Sequence, residues 1–136
     1  MRLQDRVAVV TGAAGGIGEA IAKAFANEGA SLIVADINLE GAVDTVDAIS
    51  QCGGKAVSCE IDITKTLDCQ KVVETAVKEF NRLDILVNAA GIGSFGHFND
   101  VTPEEFDRVM RINLNGTFYC AKNNGEYCFG NTRGSF

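Results

Sequence analysis

The sequence predicts an α/β fold, a doubly wound parallel sheet of order 3-2-1-4 with helices on both faces. Three observations predict it. Short, almost wholly apolar runs recur along the chain, each is followed by a stretch of helical period, and glycines punctuate the junctions. Strand and helix in alternation make a parallel sheet, because a parallel pair needs a crossover long enough to hold a helix.

The strands are residues 7–10, 32–35, 56–61 and 85–87, which are short and nearly all apolar, as parallel strands covered on both faces must be. In the first helix Ile17, Ile21 and Phe25 recur every four residues, and Gly29 stands where a C-terminal cap belongs. In the second, Leu39, Val43 and Val46 repeat before Gly53; the third runs through Leu67, Val72, Ala76 and Phe80. Thr102, Pro103, Glu104 and Glu105 announce the fourth, supplying an N-cap, a first-turn proline and a capping-box carboxylate. Right-handed crossovers wind the first three strands outward as 3-2-1 and return the fourth beside the first. A crevice then opens between the carboxyl ends of strands one and four. This Rossmann-like sheet takes up residues 1–122, one half of a doubly wound domain plus the first strand of the other half. Residues 123–136, NNGEYCFGNTRGSF, carry neither period and read as an irregular tail foreign to the fold.

Composition narrows the function. The 136 residues, 46% hydrophobic and 22% charged, suit one globular domain and argue against disorder. A net charge of −6 argues against nucleic-acid and anionic-membrane partners, which need a basic surface. No apolar run approaches the ~20 residues that span a bilayer, and the first six residues lack a signal-peptide layout. Cysteines at 52, 59, 69, 120 and 128 form no CxxC pair, so neither a zinc site nor a disulfide framework is expected, and free thiols in a reducing cytoplasm are. The single histidine, His97, sits in a Gly- and Phe-rich loop, where it is either a base or simply solvated.

Residues 11–18, TGAAGGIG, join the first strand to the first helix. Thr11, Gly12, Gly15, Gly16, Ile17 and Gly18 thus form a loop whose glycines permit positive φ and close backbone approach, and the helix start aims N–H groups at an anion. A pyrophosphate is the natural guest. Asp36 ends the second strand about twenty residues beyond these glycines, where a carboxylate accepts both ribose hydroxyls of an adenosine and repels a 2′-phosphate. Ile37 beside it offers no compensating cation, so NAD is expected over NADP. The plainer alternative makes Asp36 a strand-end residue before a helix cap. Asp62, at the end of the third strand, either reaches the adenine or caps the next helix. Asn88, Ala89, Ala90 and Gly91 end the fourth strand with small residues that leave room for a flat ring, or make only a turn. On a helical wheel Asn113 falls within the face of Phe106, Val109, Met110, Leu114 and Thr117, which carries its amide toward the core, where it must be hydrogen-bonded.

Together TGAAGGIG, Asp36, Asp62, NAAG and RVMRINLNGTF resemble the short-chain dehydrogenase/reductase family across residues 3–122. The glycine loop fits both TGxxxGxG and TGxxGxxG, and NAAG followed by INLNG favours the family's compact oxidoreductase branch. The resemblance implies hydride transfer between NAD and a secondary alcohol or ketone, with a homo-oligomeric parent. It implies Gly12, Gly16 and Gly18 as the coenzyme loop, Asp62 with Ile63 at the adenine, and Asn88, Ala89 and Gly91 near the nicotinamide. Asn113 becomes the catalytic asparagine that holds a water in the proton relay. Such enzymes use a Tyr-x-x-x-Lys pair and a serine, but here Tyr119 is followed four residues later by Asn123 and Tyr127 by Asn131. The expectation is an N-terminal fragment without its acid/base; the alternative is a non-catalytic NAD-binding or interaction module.

Overall fold

The valine-rich strand β1 (Val7–Thr11) lies at the heart of the molecule, with every residue buried. The computed structural model describes residues 1–130. Strands β2 (Ser31–Asp36), β3 (Lys55–Glu60) and β4 (Ile85–Asn88) join β1 in one parallel sheet of order β3-β2-β1-β4, the order expected from the sequence. Val9 stands opposite Ile33 on one side and Leu86 on the other.

Alternate side chains along the strands feed two apolar layers. Ala8, Val10, Leu32 and Val34 pack with Ala22 of α1 (Gly16–Asn27) and with Ala42 and Ile49 of α2 (Leu39–Gln51). On the opposite face Val7, Val9, Ile33 and Cys59 pack with Cys69, Val72, Val73 and Ala76 of α3 (Thr66–Phe80), and with Cys120 of α5 (Thr117–Gly130). Gly29 and Gly53 end the first two helices with φ of +91° and +82°, a conformation that favours glycine. Thr102 caps α4 (Pro103–Met110), its hydroxyl oxygen accepting from the Glu105 amide at 3.1 Å.

Asp84 fastens the start of β4 to β1. Its carboxylate accepts from the Val7 amide at 2.9 Å and from Arg6 and Arg82 at 3.2 and 2.6 Å. Burial alone would raise the pKa of this group, but the hydrogen bonds from Arg82, the Val7 amide and Arg6 hold it below the ordinary value of 3.8.

Two expectations are corrected. The fourth helix is not one regular α-helix: Arg111–Gly116 form a π-helical turn between α4 and α5. Asn113 is exposed instead of facing the core, together with Phe106, Met110 and Leu114 of the same stripe, because nothing among the described residues packs over that face. The supposedly irregular tail is helical through Gly130. Tertiary packing overrides its weak propensity, since Cys120 and Asn124 are buried along the inner face of α5. The rest of that stretch, residues 131–136, lies outside the described residues.

Candidate functional site

The loop between β1 and α1 is built on two glycines that nothing else could replace. At Gly12 φ is +66°, and an added Cβ would lie 2.7 Å from the Ala90 main chain, so the loop rests directly on the end of β4. An added Cβ at Gly18 would meet the Gly12 carbonyl oxygen at 2.2 Å, so the first turn of α1 is pressed onto the loop. Gly15 and Gly16 differ: added carbons there would meet nothing within 4 Å. Their backbone faces open space at the start of a helix, where N–H groups lack intrahelical acceptors.

Thr11 is buried and ties the strand ends together. Its hydroxyl donates to the Val87 carbonyl at 3.4 Å and accepts from the Ala90 amide at 3.2 Å. Asp36 is partly buried, and its two oxygens accept from the amides of Ala14 (3.0 Å) and Asn38 (2.9 Å). Asp62 does not cap the next helix, whose N-cap is Lys65; it makes a local turn, its Oδ1 accepting from the Thr64 hydroxyl and amide at 2.7 and 2.9 Å. Those bonds hold its carboxyl below the usual range. Asn113 meets the main chain of Ile92 in both directions at 2.8 Å: Oδ1 accepts from the Ile92 amide and Nδ2 donates to its carbonyl. His97 is exposed, in a separate hollow beside Asp100 and Glu105.

At the carboxyl ends of the strands these elements enclose a cleft of about 420 Å³. Gly12, Gly15, Ile17, Gly18, Asp36, Asp62, Ile63, Ala89, Ala90 and Gly91 from the expected set line it. Thr11, Gly16, Asn88 and Asn113 stand outside that lining, Thr11 beneath it and Asn113 behind Ile92. Sequence reasoning missed the apolar walls: Ala35, Ile37, Ile61, Ile92 and Ile112. Ile37 and Ile92 were within reach, each directly following a residue already singled out. Ile112 was not, because it belongs to the π turn.

The residues present fit a dinucleotide. Glycine backbone lies open at a helix start for a pyrophosphate, carboxylates stand at two strand ends, and isoleucines offer flat apolar walls for ring systems. Among the described residues no cluster of three or more His, Cys, Asp or Glu is placed to hold a metal ion, and no helix is long and apolar enough to cross a membrane.

A family model described as short chain dehydrogenase matches residues 6–135. Elsinochrome reductase 1 from Elsinoe fawcettii is 46% identical over 122 residues, which cover 89% of this chain and 46% of that protein. The crystal structure of a short chain dehydrogenase from Mycobacterium avium superposes with a TM-score of 0.90 at 37% identity, over 96% of this chain and 50% of the other. That of a hydroxysteroid dehydrogenase from Escherichia coli gives 0.85 at 38% identity, over 90% and 52%. The chain therefore spans about half the length of the relatives it matches.

Proposed function

We propose, because this chain belongs to the short-chain dehydrogenase family, that its cleft holds a nicotinamide dinucleotide, NAD in preference to NADP. The hydrogen bond from Ala14 to Asp36 carries this reading: it sets a carboxylate at 3.0 Å from the glycine loop, where a ribose and its pyrophosphate would meet. Gly12, Gly15, Gly16, Ile17 and Gly18 take the pyrophosphate, with Thr11 bracing the loop from below. Each Asp36 oxygen accepts one amide and keeps a lone pair for a ribose hydroxyl. Asp62 and Ile63 border the adenine, and Asn88, Ala89, Ala90 and Gly91 the nicotinamide.

The bound nicotinamide supplies hydride transfer to or from the carbinol carbon of a secondary alcohol or ketone. This chain's residues bind and orient. Asn113 positions Ile92 at the cleft wall and keeps a second lone pair and a second N–H for a relay water. No Tyr-x-x-x-Lys pair occurs in residues 1–136, so turnover depends on an acid/base supplied from elsewhere in a full-length, homo-oligomeric parent. That same observation favours a second reading, a non-catalytic NAD-binding or interaction module. Five cysteines without a CxxC spacing support a reducing, cytoplasmic setting.

Isothermal titration of the purified chain with NAD and NADP tests the assignment, beside a dehydrogenase assay on a panel of secondary alcohols. We expect NAD to bind at least about tenfold more tightly, a gap of ~1.4 kcal/mol. Asp36→Ala should narrow that gap, and the pure chain should show no turnover. Tighter binding of NADP would overturn the role of Asp36, and turnover would overturn the missing acid/base.

A further inference from the structure

We propose that Cys69 and Cys120 form a reversible intramolecular disulfide that clamps α5 to α3 behind the cleft. The two residues lie 51 positions apart in sequence, and neither exposes any surface. Their sulfurs are 3.2 Å apart, while a disulfide bond is about 2.05 Å long. A relative shift of roughly 1 Å between the two helices therefore closes it. Geometry also assigns the two thiols different parts. Cys69 donates to the Ile63 carbonyl at 3.5 Å, leaving Cys120 to donate to the Cys69 sulfur. That second bond favours the Cys69 thiolate, while the same contact and burial push Cys120 up. Cys69 is the nucleophile and Cys120 the resolving thiol.

The oxidant is a peroxide. The Cys69 thiolate attacks one oxygen of hydrogen peroxide, the O–O bond breaks, and the departing hydroxide takes a proton to become water. The sulfur of Cys120 then attacks the Cys69 sulfenic acid, the S–O bond breaks, and the Cys120 proton leaves with the hydroxyl as a second water. Two thiols have lost two electrons and one peroxide has gained them, and a small-molecule thiol reverses the step by exchange.

Asn124, one turn beyond Cys120, gives the peroxide its way in. It is buried, its Nδ2 donates to the Cys120 carbonyl at 2.8 Å, and its Oδ1 has no hydrogen-bond partner among the described residues. A buried acceptor left unmade weakens the seat of α5 against α3, so this helix opens before the central strands do. The consequence reaches the cleft, because oxidation removes the thiol that donates to Ile63, one of its lining residues.

The test is to treat the purified 136-residue chain with stoichiometric hydrogen peroxide, both in native buffer and in guanidinium, alkylate the remaining thiols and map the peptides. The five cysteines allow ten pairings. In native buffer Cys69–Cys120 should dominate, alkylatable thiols should fall from five to three, and dithiothreitol should restore all five. In guanidinium that preference should vanish. The proposal is overturned if the native and denatured pairings match, or if Cys52 and Cys128 react while Cys69 and Cys120 stay reduced. Cys120→Ser adds a check that does not need the cross-link: it should leave Cys69 as a sulfenic acid that dimedone captures, and an unlabelled Cys69 counts against the assignment.

Discussion

Strands β1 and β4 run side by side with similar apolar sequences, VAVVT and ILVN, yet all five residues of β1 are buried and none of β4 fully is. β1 has strands on both edges and helices on both faces. Among the described residues β4 has only β1 beside it. The same contrast runs through the helices: α1 and α2 bury Ala22, Ala42 and Ile49, whereas α4, the π turn and the start of α5 leave Phe106, Leu114 and Phe118 more than half exposed. Apolar character qualifies a segment for the interior, and neighbours decide whether it gets there. The first half of the sheet is finished by its own crossovers, but among the described residues β4 pairs with β1 alone and is fastened at its two ends, at Asp84 and at the Gly12–Ala90 contact.

Breaking the upper of those ends should have the largest effect. Gly12→Ala combines a left-handed backbone with a carbon driven to 2.7 Å from the Ala90 main chain, and we expect a loss of about 4 kcal/mol in urea unfolding. Truncations within each half sharpen the contrast. Leu32→Ala, in a fully buried site, should cost about 3 kcal/mol, Leu86→Ala in β4 roughly half that, and Leu114→Ala no more than about 0.5 kcal/mol. Equal losses at the first two positions would dissolve the distinction. Asn113→Ala should cost about 1 kcal/mol and raise hydrogen exchange at the Ile92 amide, which loses its acceptor.

The lower end yields a pH dependence. Because the folded pKa of Asp84 lies below 3.8, the protonated form is favoured by unfolding. Its contribution is complete above the unfolded value and fades as pH falls through the folded one. The stability difference between the native chain and Asp84→Asn should therefore be constant from pH 7 down to about 5, and shrink steadily toward pH 2. A difference that grows on acidification would contradict the arrangement.

Residues 7–10 and 32–35 announced themselves as strands because burial on both faces leaves no room for polar residues. The glycine loop was legible because its demands are local, a positive φ at residue 12 and close approach at residue 18. Asp62 was only half legible, since its bond to Thr64 depends on how the chain turns after β3. Asn113 was misplaced because a wheel groups it with Phe106, Met110 and Leu114 but cannot register whether anything packs over that stripe, and among the described residues nothing does. The helix over residues 123–130 escaped notice for a related reason: its polar, glycine-containing sequence is ordered by packing against α3, a partner some fifty residues away.

That π turn works as a single inserted residue in an otherwise continuous rod. An exposed stripe of Phe106, Met110, Leu114 and Phe118 runs outward across it, and from Gly116 onward a buried stripe of Gly116, Cys120 and Asn124 faces inward. Removing one residue between 111 and 116 would restore regular winding and rotate everything beyond it by about 100° relative to α4. Gly116 would leave the Ile63 side chain, which already stands so close that an added carbon would fall 2.5 Å from it, and Cys120 would turn from Cys69. For this segment length is a stricter requirement than residue identity: a substitution alters one contact, and a deletion rewrites the whole inner face of α5.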